Sequence, residues 1–256
     1  MKTKISILIF CAFLLLNLNT SCFTDFNEIQ ALSDLYNLTY ANGWTWKPFE
    51  IKWFEISTPD PCIDKWTRVD CSIDCNIVSL KLSSKNLTGK ISSKISDIES
   101  LATLDLSANS LTGTIPVSLF SMSNLLDLSL STNNLSRSIP EMYKLKGLVK
   151  INLARNRLNS TLPADLTSLT KLTFIRLASN QLSGSLPFNI GDLKNLTFFA
   201  TRSNKMTNTI PSSIVNLKLM DSLGLHYNFH NGTVPQDIGK LTNMLNLAFS
   251  NNQLSG

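Results

Sequence analysis

One asparagine returns through most of this chain at a fixed interval. Asn109, Asn133, Asn156, Asn180, Asn204, Asn228 and Asn252 stand 24, 23, 24, 24, 24 and 24 residues apart. A proline holds the same register seven residues later, at Pro116, Pro140, Pro163, Pro187, Pro211 and Pro235. A fixed period of about 20–50 residues marks stacked units that cover each other's apolar faces, and few other architectures for a chain of this length would keep such a register.

Between these markers each unit approximates L-x-x-L-x-L-x-x-N-x-L-x-G-x-I-P, as in "LATLDLSANSLTGTIP" from Leu101 and "LTFIRLASNQLSGSLP" from Leu172. Successive side chains of a strand point to opposite faces, so L-x-L predicts a short strand with leucines inward and x positions facing solvent across a shared sheet. Each buried leucine contributes about 1.5–3 kcal/mol, but one unit cannot cover its own apolar face, so stacking must. The short amide of the recurring asparagine suits backbone groups left open where the chain turns off the strand, which predicts a ladder of side-chain to backbone bonds. Lys85 replaces the asparagine in the first unit. Arg137, Ser160 and Asn208 replace the glycine before I-P, where a permissive backbone is usual. The unit around "PEMYKLKG" is one residue short.

These residues resemble the plant-type class of leucine-rich repeat proteins over residues 77–256. The resemblance implies an α/β fold: a leucine-rich repeat solenoid curved into a right-handed superhelix. It would carry a concave parallel sheet, short 3-10 helices or coil on the convex side, seven full units and a partial eighth.

Residues 23–76 differ in composition and contain Trp44, Trp46, Trp53 and Trp66. "DFNEIQALSDLY" predicts a helix with an Asp25/Glu28 capping box and Ile29, Leu32 and Leu35 on its apolar face. "PCIDKWTRVDC" resembles the N-terminal cap of secreted plant-type repeat proteins, and that resemblance implies a Cys62–Cys71 disulfide in an oxidising compartment. A zinc site is the alternative, although neither histidine lies nearby. Cys75 is left over, with Cys22 as a candidate partner. Residues 1–22 read as a secretory signal peptide: a basic start, an apolar run from Ile5 to Leu18 and small residues at Thr20 and Ser21. An uncleaved anchor, or lipid attachment at Cys22, is the alternative there.

A secreted chain gives meaning to the glycosylation sequons at Asn37, Asn86, Asn134, Asn159, Asn195 and Asn231, none of which falls on a concave strand position within the repeats. The concave x positions change character along the chain. Ser79, Thr103, Asp105, Ser107, Asp127, Ser129 and Ser131 come first; Lys150, Arg155, Phe174, Arg176, Phe198, Arg202, His226 and Tyr227 follow. Arginine with aromatics is a recognition composition, and guanidinium forks suit carboxylates or sulfates, so this second set is the expected ligand-binding surface.

Only 16% of residues are charged and the formal charge is +5, which gives nucleic-acid binding no support. No serine elbow, phosphate loop or paired metal motif is present, and "HYNFH" places its two histidines across a strand-to-turn junction, so neither an enzyme nor a cofactor is expected. The resemblance implies a non-catalytic module on the cell surface or secreted, binding a protein, peptide or acidic glycan and a partner receptor. Secreted polygalacturonase-inhibiting proteins, which bind a foreign hydrolase, are the alternative. Leu247, Phe249 and Leu254 face inward in the last unit with no polar repeat over them, which predicts end-to-end self-association.

Overall fold

The computed structural model describes residues 23–40, 43 and 60–255. The leader, Cys22, Trp44, Trp46 and Trp53 lie outside the described residues.

Each L-x-L forms a three-residue strand, and these strands stack in chain order into one sheet: Ile77–Lys81, Thr103–Asp105, Asp127–Ser129, Lys150–Asn152, Phe174–Arg176, Phe198–Ala200, Ser222–Gly224 and Asn246–Ala248. All these pairings are parallel, whereas Val69–Cys71 adds to the first edge antiparallel. Side chains alternate as the sequence demands, so Leu104, Leu128, Ile151, Ile175, Phe199 and Leu223 are buried between units. On the opposite side most units make a 3-10 turn, at Ser93–Asp97, Val117–Ser121, Ala164–Ser168, Ile190–Asp192, Ser212–Asn216 and Gln236–Lys240. Short second strands such as Ser183–Gly184 and Lys205–Met206 run along the flank between the two.

The asparagine ladder is present in all seven units that carry it. Asn180 is typical: its Oδ1 accepts from Leu158 N–H at 3.0 Å, and its Nδ2 donates to the carbonyls of Leu153 at 3.0 Å and Leu177 at 3.1 Å. One amide therefore satisfies groups of its own unit and of the preceding one, which a hydroxyl could not do with the same two-sided reach. Asn109 extends the arrangement back to Lys85, whose own N–H it accepts at 2.9 Å.

The substituted glycine positions separate into two kinds. Arg137 at φ 73° and Asn208 at φ 62° keep the left-handed backbone of the equivalent glycines, with its steric cost. Ser160 does not; its φ is 158°, and the chain bends there. The short unit also departs, having no 3-10 turn among the described residues; there the N–H of Met142 is taken up by the Asp165 carboxylate of the next unit.

The cap begins with the helix Phe26–Thr39. Asp25 caps it through the N–H of Asn27 at 2.7 Å, but the expected capping box is only half formed. Glu28 is buried and its Oε2 instead accepts from the N–H of Ile77 at 3.0 Å, tying the helix to the first repeat strand. Burial pushes its carboxyl above the usual glutamate value, the Ile77 hydrogen bond opposes this, and Asp25 and Glu99 add to the rise. The helix is consequently rotated, with Glu28, Ala31, Leu32 and Leu35 inward and Ile29 half-buried. A long-range backbone donor outcompetes the helix's own N-terminus for this carboxylate because the buried N–H has no water to turn to. At the far end of the helix, Gly89 of the first repeat sits where a Cβ would collide with the Leu38 carbonyl oxygen, so nothing larger fits the seam.

Candidate ligand-binding site

Two rows of side chains cross the concave sheet at strand register. The first runs Lys150, Phe174, Phe198, Ser222 and Asn246; the second runs Asn152, Arg176, Ala200, Gly224 and Ala248. Arg202 and His226 project two residues further along their chains. The second row is large at Arg176 and then small for three units, so the sheet is hollowed at that point. The hollow has a volume of about 200 Å³, with Arg176, Phe198, Arg202 and His226 around it, Ser222 and Asn246 along one side, and Ala200, Gly224 and Ala248 as its floor.

The floor is small by composition and not by steric necessity. A Cβ added to Gly224 would meet Ala200 Cβ at 3.7 Å and His226 Cε1 at 3.8 Å, which is ordinary contact. Neither Arg176 nor Arg202 pairs with a carboxylate among the described residues; ion pairs elsewhere on the surface include Lys81–Asp70, Lys94–Asp97 and Lys240–Asp237. Burial and the neighbouring Arg202 charge hold the His226 imidazole below the usual histidine value. Its Nδ1 is buried and has no hydrogen-bond partner among the described residues. The hollow therefore combines two uncompensated guanidinium groups with a neutral ring able to take a proton or accept a bond.

Phe174 and Phe198 stack across neighbouring strands with centroids 4.4 Å apart and 13° between planes. Their touching faces leave edges toward solvent and one free face of Phe198 on the hollow. Of the eight expected residues, Arg176, Phe198, Arg202 and His226 converge, and Phe174 supports Phe198. Lys150 lies beyond the stack, on the side away from the hollow. Arg155 and Tyr227 sit on left-handed turn residues, φ 55° and 56°, past the ends of the strands; Tyr227 reaches the site only through an edge-on contact with His226 at 5.4 Å. The sequence reading missed the floor. Its signal was three successive small residues at the register of Arg176, a pattern that carries no chemistry and so draws no notice.

His230, the second histidine of "HYNFH", is fully buried at an inward position with Nδ1 3.1 Å from the Asn208 carbonyl oxygen. The two histidines thus face opposite sides of the sheet. Among the described residues no group of His, Cys, Asp and Glu is arranged to hold a metal ion. Cys62 and Cys71 are bridged, with Trp66 of the segment between them buried, and Cys75 is disulfide-bonded as well.

A Leucine Rich Repeat family model matches residues 100–122 and 171–193, the units that carry the two most regular motifs. Overlaid on the crystal structure of PEPR1–AtPEP1, the chain gives a TM-score of 0.79 at 32% identity, covering 89% of this chain and 32% of that one. This chain is a leucine-rich repeat protein of the plant type. The Arabidopsis receptor kinase HAESA, solved in complex with the peptide hormone IDA and the co-receptor SERK1, overlays with a TM-score of 0.65 at 28% identity, over 91% of this repeat protein and 43% of HAESA. A probable leucine-rich repeat receptor-like protein kinase of Arabidopsis thaliana is 32% identical over 81 residues, 32% of this chain and 8% of that protein. The repeat protein therefore spans less than half of each of these relatives. No helix among the described residues is long and apolar enough to cross a membrane.

Proposed function

We propose that this repeat protein is an extracellular, non-catalytic recognition module that binds an acidic peptide in the hollow between Arg176 and His226. The observation that carries the reading is the pair of guanidinium groups, Arg176 and Arg202, held without carboxylate partners beside a floor of Ala200, Gly224 and Ala248. An unpaired cation next to vacant space is a site for an anion, and arginine binds carboxylates through two parallel bonds. A peptide suits the neighbouring surface better than a sugar does. The Phe174–Phe198 stack spends two of its four ring faces on itself and shows edges outward, which fits aliphatic side chains and leaves little platform for a pyranose. The HAESA structure, with its peptide and co-receptor, supports both a peptide ligand and a partner ectodomain for this chain.

Titration of the secreted protein with short synthetic peptides, matched in length and differing only in Glu against Gln, tests this. Binding confined to the acidic series, and lost in Arg176→Glu/Arg202→Glu, is the expected result. Equal binding of both series would overturn the reading.

A further inference from the structure

Away from the concave face, where units pass from the second strand to the 3-10 turn, the flank carries a larger groove of about 480 Å³. Thr161, Ser185 and Thr209 line it from successive units, with Leu186, Pro187 and Pro211 as apolar wall and Asn189 and Asn208 as polar edge. Phe188 stands on its rim with 85% of its surface exposed. The fold does not ask for that ring. Equivalent positions after the recurring proline hold Val117, Glu141, Ala164, Ser212 and Gln236, none of them aromatic. Its backbone is nonetheless fixed, since the Phe188 carbonyl accepts from the Ser213 hydroxyl and the Pro187 carbonyl accepts from Ile190 N–H at 3.0 Å. A rigidly mounted exposed aromatic beside a half-apolar groove is a docking surface in need of an occupant.

The chain supplies one at the groove's edge. Asn159, Ser160 and Thr161 form a glycosylation sequon whose third residue lines the groove. Asn159 is exposed, and no hydrogen bond holds its carboxamide among the described residues; by contrast, the Asn195 amide donates to the Thr170 carbonyl at 2.8 Å. The attachment point lies close to the groove along the chain: Asn159 stands two residues before Thr161, with a bend at Ser160 between them.

We propose that Asn159 carries an N-glycan whose first N-acetylglucosamine lies in this groove against the Phe188 ring. The sugar's C–H face and acetyl methyl cover the aromatic, while its hydroxyls and amide meet Ser185, Thr209, Asn189 and Asn208. The proposal rests on the extracellular reading above, because the modification requires passage through the secretory route.

The test is a double-mutant comparison on protein secreted from a eukaryotic host. Glycopeptide mass spectrometry reads occupancy of each sequon. Melting temperatures are then measured before and after enzymatic deglycosylation for the wild type, Phe188→Ala and Phe188→Trp. Glycan removal is expected to lower the wild-type Tm by about 2–4 °C, to lower Phe188→Ala by less than half of that, and to regain its full effect in Phe188→Trp. Asn159 bare while Asn195 is occupied overturns this proposal alone; every sequon bare overturns the extracellular reading with it. Equal shifts with and without the ring show a glycan that is not seated, and also overturn it. So does a monomer–dimer change in Phe188→Ala that is indifferent to deglycosylation, which would assign the ring to a second copy of the chain.

Discussion

The concave sheet has two halves built on one scaffold. In the first half, Asp105 and Asp127 face solvent from adjacent strands, among Thr103, Ser129 and Ser131. Burial lifts the Asp127 carboxyl above its usual value, Lys150 offsets part of that and Asp105 adds to it. In the second half, Arg176 and Arg202 stand over vacant space beside an imidazole that burial keeps neutral. The ladders beneath are alike: Asn133 Oδ1 accepts from Leu111 N–H at 2.9 Å, and Asn204 Oδ1 accepts from Leu182 N–H at 2.9 Å. Fold and proposed binding surface therefore occupy alternate residues of the same strands. A repeat can change what it recognises without changing how it stacks.

Charge reversal breaks that comparison most directly. Arg176→Glu with Arg202→Glu is expected to weaken binding of an acidic peptide about 100-fold by calorimetry, equivalent to about 2.7 kcal/mol, with Tm unmoved. Asp105→Lys with Asp127→Lys should leave affinity within about threefold, as long-range attraction alone would. Equal losses in the two pairs would move the ligand off the hollow. The scaffold is tested by Asn133→Ala and Asn204→Ala, one in each half. Each strands buried backbone groups, costs about 2 kcal/mol and lowers Tm by about 4–8 °C without touching ligand affinity. A clearly larger loss in one half would show that the ladder is not uniform.

Gly224→Val sharpens the comparison further, because it fills the hollow without burdening the fold. Affinity should fall about tenfold while stability holds, and Ser129→Val, at the same register in the first half, should change neither affinity nor stability. His226 supplies a pH signature. Its folded-state pKa is depressed, so the unfolded chain takes a proton that the native one refuses, and stability declines as pH falls below the usual histidine value of about 6.5. An acidic ligand raises that pKa. Its affinity should thus grow about threefold as pH falls through the titration, and His226→Ala should flatten the profile. The smallest effect is expected at Arg137→Gly, which relieves a left-handed backbone remote from both halves and should add about 0.5–1 kcal/mol by chemical denaturation.

The sequence by itself determined the period, the inward direction of the L-x-L leucines, the asparagine ladder and the change in chemistry along the concave face. All of these follow from local rules: side-chain alternation along a strand, and a unit that cannot bury its own apolar face. The Cys62–Cys71 bridge was legible through the cap motif that surrounds it. What only the tertiary structure decided depends on atoms far apart in the chain. Glu28 abandons its own helix for the N–H of Ile77, 49 residues on, because burial makes that donor costly to leave alone. Ser160 leaves the left-handed conformation that Gly184 and Gly232 keep at the same place in their units, and Thr161 beside it joins Ser185 and Thr209 of later units in one groove. The four converging residues among the eight were selected by Ala200, Gly224 and Ala248, which matter through the side-chain volume they lack. A cavity is defined by missing atoms brought together from three units, and no motif in a linear chain records an absence.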